Sequence, residues 1–118
     1  MKEFRYYLLN EDGTITPTND TLAWSRWFEE FKNRQIAFTK VTEDIDVSTV
    51  ALGLDHSWGD GPPMIFETMS FGTEDEKTRR YSTVADAKAG HEEVVNEIRE
   101  ELGLPPENPW EIGLDKII

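Results

Sequence analysis

The chain contains no cysteine, so disulfide bonds and thiolate metal ligands are excluded. No apolar run is long enough to cross a membrane, and the first residues, Met1-Lys2-Glu3-Phe4-Arg5, lack the apolar stretch of a signal peptide. The 118 residues are the length of a single domain. We therefore expect one domain, 1–118, in the cytoplasm.

Basic residues are scarce. Twelve Lys and Arg face twenty-four Asp and Glu, which gives a formal net charge of −12. This field repels nucleic acid, whose binding needs Lys and Arg to displace counterions, so we expect no direct nucleic-acid binding. It favours basic partners, many of which carry nucleic-acid grooves. The alternative is that the charge serves solubility alone.

Motifs of catalysis are also missing from the sequence. There is no Walker loop, G-x-S-x-G elbow, HExxH pair or Ser/His/Asp set. Histidine itself occurs only twice, at His56 and His91. Any catalytic or metal site must therefore be assembled from scattered residues.

The pattern of apolar residues and turn residues predicts an α+β fold, a small antiparallel sheet of about four strands packed by two helices. Strands are predicted at 4–9, 35–42, 49–56 and 65–71, with a short edge strand at 78–81. The strands 49–56 and 65–71 form a hairpin, since a loop rich in Gly and Pro separates them. Residues 15–18 are expected to lead into the first helix, which begins after Asn19 or Asp20 and continues to about Phe31.

The second helix has clear boundaries. Thr83 is a predicted N-cap with Asp86 three residues on, and Gly103 follows the last residue, Leu102. Beyond it lies an apolar tail, 104–118, which either packs back on the domain or docks on a partner. Its apolar residues are Trp110, Ile112, Leu114, Ile117 and Ile118.

Three predicted core stripes each contain one ionisable residue. Side chains alternate between the faces of a strand, so His56 shares a face with Val50, Leu52 and Leu54. By the same alternation, Glu67 shares a face with Ile65, Met69 and Phe71. On the second helix, His91 falls within the apolar stripe Val84, Ala87, Val94, Ile98 and Leu102.

A buried carboxylate without a partner costs several kcal/mol, so we expect His56, Glu67 and His91 to meet. They would form either a hydrogen-bonded cluster or a divalent metal site. Zinc suits two imidazoles and a carboxylate, with water or Asp55 as fourth ligand. Iron or manganese would also fit.

Acidic side chains crowd the second helix and suggest a surface for a basic partner. Glu93, Glu97 and Glu100 form an outward stripe, and Glu101 adjoins it. The alternative is an ordinary solvated helix face.

Several segments carry a family resemblance: 6–9, 24–29, 47–56 (VSTVALGLDH), 59–69 (GDGPPMIFETM), 80–83 and 89–91. In these segments the chain resembles a small protein family common in bacteriophage and prophage genomes. The resemblance implies that His56, Glu67 and His91 recur as a set. The chain also resembles a metal-binding anti-CRISPR protein, a likeness that implies direct inhibition of a type II CRISPR effector nuclease.

Three functions remain open from the sequence. The first is an inhibitor that binds a host CRISPR nuclease and blocks its nucleic-acid handling, with a structural metal that ties the helix to the hairpin. The second is a small metal-dependent hydrolase that uses the His-His-Glu site. The third is a phage accessory protein without catalysis or metal.

Overall fold

A computed structural model of the chain describes residues 4–55 and 61–105. The elements in chain order are β1 (Tyr6–Leu9), β2 (Ile15–Thr18), α1 (Thr21–Glu29), α2 (Phe31–Arg34), β3 (Gln35–Lys40), β4 (Asp46–Ala51), β5 (Phe66–Phe71), β6 (Thr78–Tyr81) and α3 (Val84–Glu101). The predicted α+β class is confirmed. In the described part of the chain, no helix is both long and apolar enough to span a membrane.

Strands β3 to β6 form one antiparallel sheet in chain order, and α3 packs on one of its faces. We call the face that α3 covers the inner face and the opposite one the outer face. The hairpin predicted between Thr49 and Phe71 is confirmed, because β4 and β5 pair antiparallel. Its register places Glu67 opposite Val50, four residues from the predicted partner Leu54.

Residues 15–18 lead into α1 as predicted, with Asp20 as its N-cap, but they also form a strand that was not predicted, β2, which pairs with β1. The turn between the strands favours the hairpin: Gly13 adopts φ 87° and Asp12 accepts hydrogen bonds from the Thr14 backbone and hydroxyl. Pro17 is tolerated because β2 pairs on one side only within this two-stranded sheet.

The β1–β2 hairpin joins the main sheet through the chain that follows β4. The Tyr7 amide donates to the Gly53 carbonyl at 2.7 Å, and the Asp55 amide donates to the Arg5 carbonyl at 3.1 Å. Gly53 has φ 65° and lies against Trp24 and Trp27 of α1, where any side chain would overlap the indoles. This close approach fixes α1 beside β1.

Helix α3 begins and ends where the sequence predicts. The Thr83 hydroxyl accepts from the Asp86 amide, which satisfies one free N–H of the first turn. At the other end Gly103 has φ 71°, and two backbone bonds, from Gly103 to Glu100 and from Leu104 to Arg99, close a Schellman motif. Leu102 is 48% exposed, so its predicted place in the buried stripe is wrong. It lies at the cap, where the helix leaves the sheet.

The core lies between α3 and the inner face. Its buried apolar residues form two groups along the helix. One group, near the β1–β2 hairpin, contains Tyr7, Ala51, Ile65, Phe66 and Ala87. The other, near the end of α3, contains Val41, Val47, Val94, Val95 and Ile98.

Candidate functional site

A polar network occupies the middle of the core, and His91 is its centre. The imidazole is 1% exposed and lies between two strands of the inner face. Its Nε2 atom is 2.8 Å from the Thr39 hydroxyl of β3, and its Nδ1 atom is 2.7 Å from the Thr49 hydroxyl of β4. Thr49 also bonds Thr68 of β5, with 2.5 Å between the hydroxyl oxygens. His91 is thus hydrogen-bonded directly to two strands, β3 and β4, and the bond between Thr49 and Thr68 extends the network to a third strand, β5.

Both nitrogens of His91 are engaged by hydroxyl groups. In a neutral imidazole one nitrogen donates and the other accepts, and a threonine hydroxyl can do either. The network therefore satisfies a buried histidine without a carboxylate. To bind a metal or accept a proton from a substrate, His91 would first have to give up one of these bonds.

Glu67 does not lie with His91, so the predicted meeting of these two residues is wrong. On β5 the buried side chains are Phe66, Thr68 and Ser70, and Glu67 projects from the outer face. There its carboxylate accepts a 3.0 Å bond from the Arg80 guanidinium of the neighbouring strand β6. A cross-strand cation, rather than an imidazole, compensates this charge.

The predicted core face of the hairpin was wrong on both strands. On β4 the buried residues are Val47, Thr49 and Ala51, while Val50 lies on the outer face. The physical reason is the choice of small hydroxyl side chains beneath α3. Thr49 fits under the closely packed helix and supplies a hydrogen-bond partner for His91. The buried face is mixed, because Val47, Ala51 and Phe66 share it with the hydroxyl residues, while the outer face carries Val50, Met69 and Phe71.

The remaining predicted metal ligands divide into two cases. His56 lies outside the described residues. The Asp55 carboxylate accepts a 3.1 Å bond from the Met64 amide, and so helps to hold the two ends of the loop together. Within residues 4–55 and 61–105, no three His, Asp or Glu side chains are grouped to hold a metal ion. Glu67 and His91 therefore do not fit the predicted ligand set, and metal binding stays a prediction.

The acidic residues predicted on α3 play different parts. Glu97 receives two bonds from Arg79, of 2.5 and 2.8 Å, and Glu101 lies 2.9 Å from Lys77. These two pairs tie α3 to β6 and its preceding turn. Glu93 and Glu100 are exposed and make no ion pair with any described residue.

The Arg79–Glu97 pair shifts the pKa of both residues. The Arg79 guanidinium holds the pKa of Glu97 below its ordinary value, chiefly by hydrogen bonding, with charge attraction adding to it. In return, the bond to Glu97 raises the pKa of Arg79. Each side chain is 36% exposed, so solvent screening limits what the pair contributes to stability.

Two acidic turns meet at the end of the sheet. The β3–β4 turn carries Glu43 and Asp44, and the β5–β6 turn carries Glu74, Asp75 and Glu76, all exposed. The turns are adjacent, because Gly72 has φ 86° and packs directly on the Asp44 backbone, where a side chain would overlap it. The pair between Lys77 and Glu101 brings the end of α3 to the same place.

We call this region the acidic end and define it by Glu43, Asp44, Glu74, Asp75, Glu76 and Glu100. Within the described chain none of these six carboxylates makes an ion pair. The neighbouring cations are already engaged: Lys40 by Asp46, and Lys77 by Glu97 and Glu101. Beside the carboxylates two large apolar side chains, Phe71 and Leu102, are each 48% exposed. The two turns are far apart in the sequence, and the contact between them brings their carboxylates together.

Of the tail predicted at 104–118, the structure describes Leu104 and Pro105 only.

Comparisons of the chain with protein-family models, with curated proteins and with solved structures find no match.

Proposed function

We propose that this chain is a non-catalytic binding module that docks its acidic end on a basic, nucleic-acid-handling protein. The observation that carries the proposal is the concentration of six carboxylates without ion pairs at one end of the sheet. Such a surface steers a basic partner and disfavours acidic ones. Phe71 and Leu102 supply apolar area that a docked partner would bury, and aromatic and aliphatic anchors of this kind dominate many interfaces.

The partner implied by the likeness to a metal-binding anti-CRISPR protein is a type II CRISPR effector nuclease, whose nucleic-acid channel is positively charged. Occupation of such a channel by the acidic end would block nucleic-acid handling without any chemistry. The module would therefore act as a stoichiometric inhibitor.

The hydrolase alternative receives less support from the geometry. A His-His-Glu centre needs its three ligands within one coordination sphere. Glu67 projects from the outer face of the sheet, whereas His91 belongs to α3 and lies against the inner face, and each is held by other partners.

The test is binding of the full chain to a purified type II effector nuclease, measured by biolayer interferometry at about 100 mM salt. The triple variant Glu74→Gln/Asp75→Asn/Glu76→Gln is expected to weaken binding about tenfold, since three exposed charge pairs are lost. The matched control, Glu11→Gln/Glu29→Gln/Glu30→Gln, makes the same change in net charge at exposed positions on other elements and should leave the affinity within about twofold.

Two outcomes would contradict the proposal. Equal loss in both triple variants would show that net charge, not the acidic end, governs association. Absence of binding by the unmodified chain at low salt would remove the CRISPR nuclease as the partner.

A further inference from the structure

A cleft of about 310 Å³ opens between the edge strand β6 and α3, away from the acidic end. Tyr81 of β6 forms part of its wall. Asp86, Ala89, Gly90 and Glu93 line it from the helix. The helical positions are spaced by three, four and seven residues, so they lie on one face of α3 over two turns.

Two small residues, Ala89 and Gly90, lie between the two acids on the helical wall of the cleft. Gly90 has no side chain, and a Cβ there would overlap the ring and hydroxyl of Tyr81, so the phenol packs on bare helix backbone. Ala89 beside it adds only a methyl group. The Asp86 and Glu93 carboxylates therefore stand on either side of a shallow section of helix, about 10 Å apart along its axis.

The charge of the cleft is negative. Asp86 and Glu93 are exposed, and their carboxylates make no hydrogen bond or ion pair with the described residues. Arg80 also borders the cleft, but its guanidinium is bound to Glu67. Arg79 is bound to Glu97. The local cations are thus committed elsewhere, and two carboxylates remain for a ligand.

The burial and the neighbouring charges of the cleft set the protonation state of Tyr81. Its hydroxyl is buried and lies near Thr68, but makes no hydrogen bond of good geometry within the described chain. Burial raises the pKa of Tyr81, the Arg79 charge opposes this effect, and Glu93 adds to the rise. The phenol is therefore neutral at ordinary pH, and its ring offers an uncharged π surface between the two acids.

We propose that this cleft binds the guanidinium of an arginine side chain. The proposal deepens the proposed function, on which it rests for the source of the arginine, a basic partner protein. An arginine suits the cleft better than a lysine, because a planar and weakly hydrated guanidinium stacks on an aromatic ring while its N–H groups reach carboxylates. The cleft would add a specific contact to the less specific attraction of the acidic end.

The test is a titration of the full ¹⁵N-labelled chain with N-acetyl-arginine amide, followed by amide chemical shifts, with no partner protein present. We expect the largest shifts at Tyr81, Ala89 and Gly90. Glu93→Gln, alone and with Asp86→Asn, should weaken binding, the double variant by about fivefold. The matched control Glu11→Gln/Glu29→Gln, at exposed positions outside both the cleft and the acidic end, should leave the affinity unchanged. N-acetyl-citrulline amide, which keeps the shape but not the charge, should cause no shifts.

The opposite results would overturn the proposal: equal weakening by both double variants, shifts centred on the acidic turns, or equal binding of citrulline. Tighter binding of N-acetyl-lysine amide would overturn the assignment of arginine. Because the probe is a small molecule, failure here is distinct from failure of the effector-binding test. A cleft that binds arginine amide in a chain that does not bind the nuclease would point to another basic partner.

Discussion

Thr49 connects two other residues through a single hydroxyl, to His91 at 2.7 Å and to Thr68 at 2.5 Å. All three side chains are at most 1% exposed, so no water replaces a lost bond at the surface. A buried polar atom without its partner costs about 1–3 kcal/mol. At the scale of one residue, removal of this hydroxyl breaks two buried hydrogen bonds at once.

Thr49→Val keeps the branched shape of the side chain and removes the hydroxyl. We expect it to lower the free energy of unfolding by about 2 kcal/mol, because the bonds to His91 Nδ1 and to Thr68 are both lost. Urea denaturation followed by circular dichroism measures the change. Thr78→Val is the matched control, since Thr78 is exposed on the same sheet, and it should change stability by about 0.5 kcal/mol or less. Equal effects of the two substitutions would mean that the network does not stabilise the fold.

At the scale of the element, the ends of α3 were predictable and the faces of β4 and β5 were not. A cap such as Thr83 and a terminator such as Gly103 act through local geometry, which the sequence carries in full. The choice of face depends instead on what packs above the sheet. On β5 the outer face carries Met69 and Phe71, while the buried face carries Thr68 and Ser70 beside Phe66.

Because the buried and outer faces of β4 and β5 are the reverse of the predicted ones, only part of the predicted site was correct. His91 was correctly assigned to the buried stripe of α3. Its partners Thr39 and Thr49, and Thr68 beyond Thr49, were missed, because a threonine in a strand is ordinary and gives no sign of a buried hydroxyl. The one available signal was that a buried imidazole needs partners, and three threonines alternate correctly on adjacent strands. Glu67 was misplaced with the rest of its face.

The connection between β6 and α3 depends on pH through Glu97. Its native pKa is below the ordinary glutamate value, so the pair with Arg79 stabilises the fold fully above that value of 4.5 and the contribution is lost as pH falls through the native pKa. We expect Glu97→Gln to lower the free energy of unfolding by about 0.5 kcal/mol at pH 7, in line with a partly exposed pair.

Urea denaturation at several pH values tests this expectation. The difference between the unmodified chain and Glu97→Gln should shrink as pH falls below 4.5 and should also shrink in high salt. Glu100→Gln, at an exposed position three residues beyond Glu97 that makes no ion pair in the described chain, should show neither trend. A difference that is constant with pH would show that Glu97 acts through packing alone.

At the scale of the whole molecule, the metal prediction and the described contacts lead to opposite expectations. A structural metal contributes on the order of 10 kcal/mol to a small fold, so its removal unfolds the protein. The described core has His91 satisfied by threonines and Glu67 by Arg80. We therefore expect treatment with EDTA to leave the melting temperature unchanged within about 2 °C.

Metal analysis of the untreated protein completes this experiment. Stoichiometric zinc, iron or manganese together with a large fall in melting temperature on chelation would contradict our expectation and support a site that includes His56. The same measurement on Thr49→Val distinguishes loss of a metal from loss of the hydrogen-bond network as the cause of a lower melting temperature. This substitution disturbs the network without removing any predicted metal ligand.

The hydroxyl-rich inner face has a consequence for the order in which the chain is made. All four strands of the main sheet leave the ribosome before α3, the helix that will cover them. Until then Thr39, Thr49, Thr68 and Ser70 keep that surface wettable, where a wholly aliphatic one would attract other nascent chains. Two of these hydroxyls, on Thr39 and Thr49, later bond His91, and would thus first serve as protection against aggregation during synthesis.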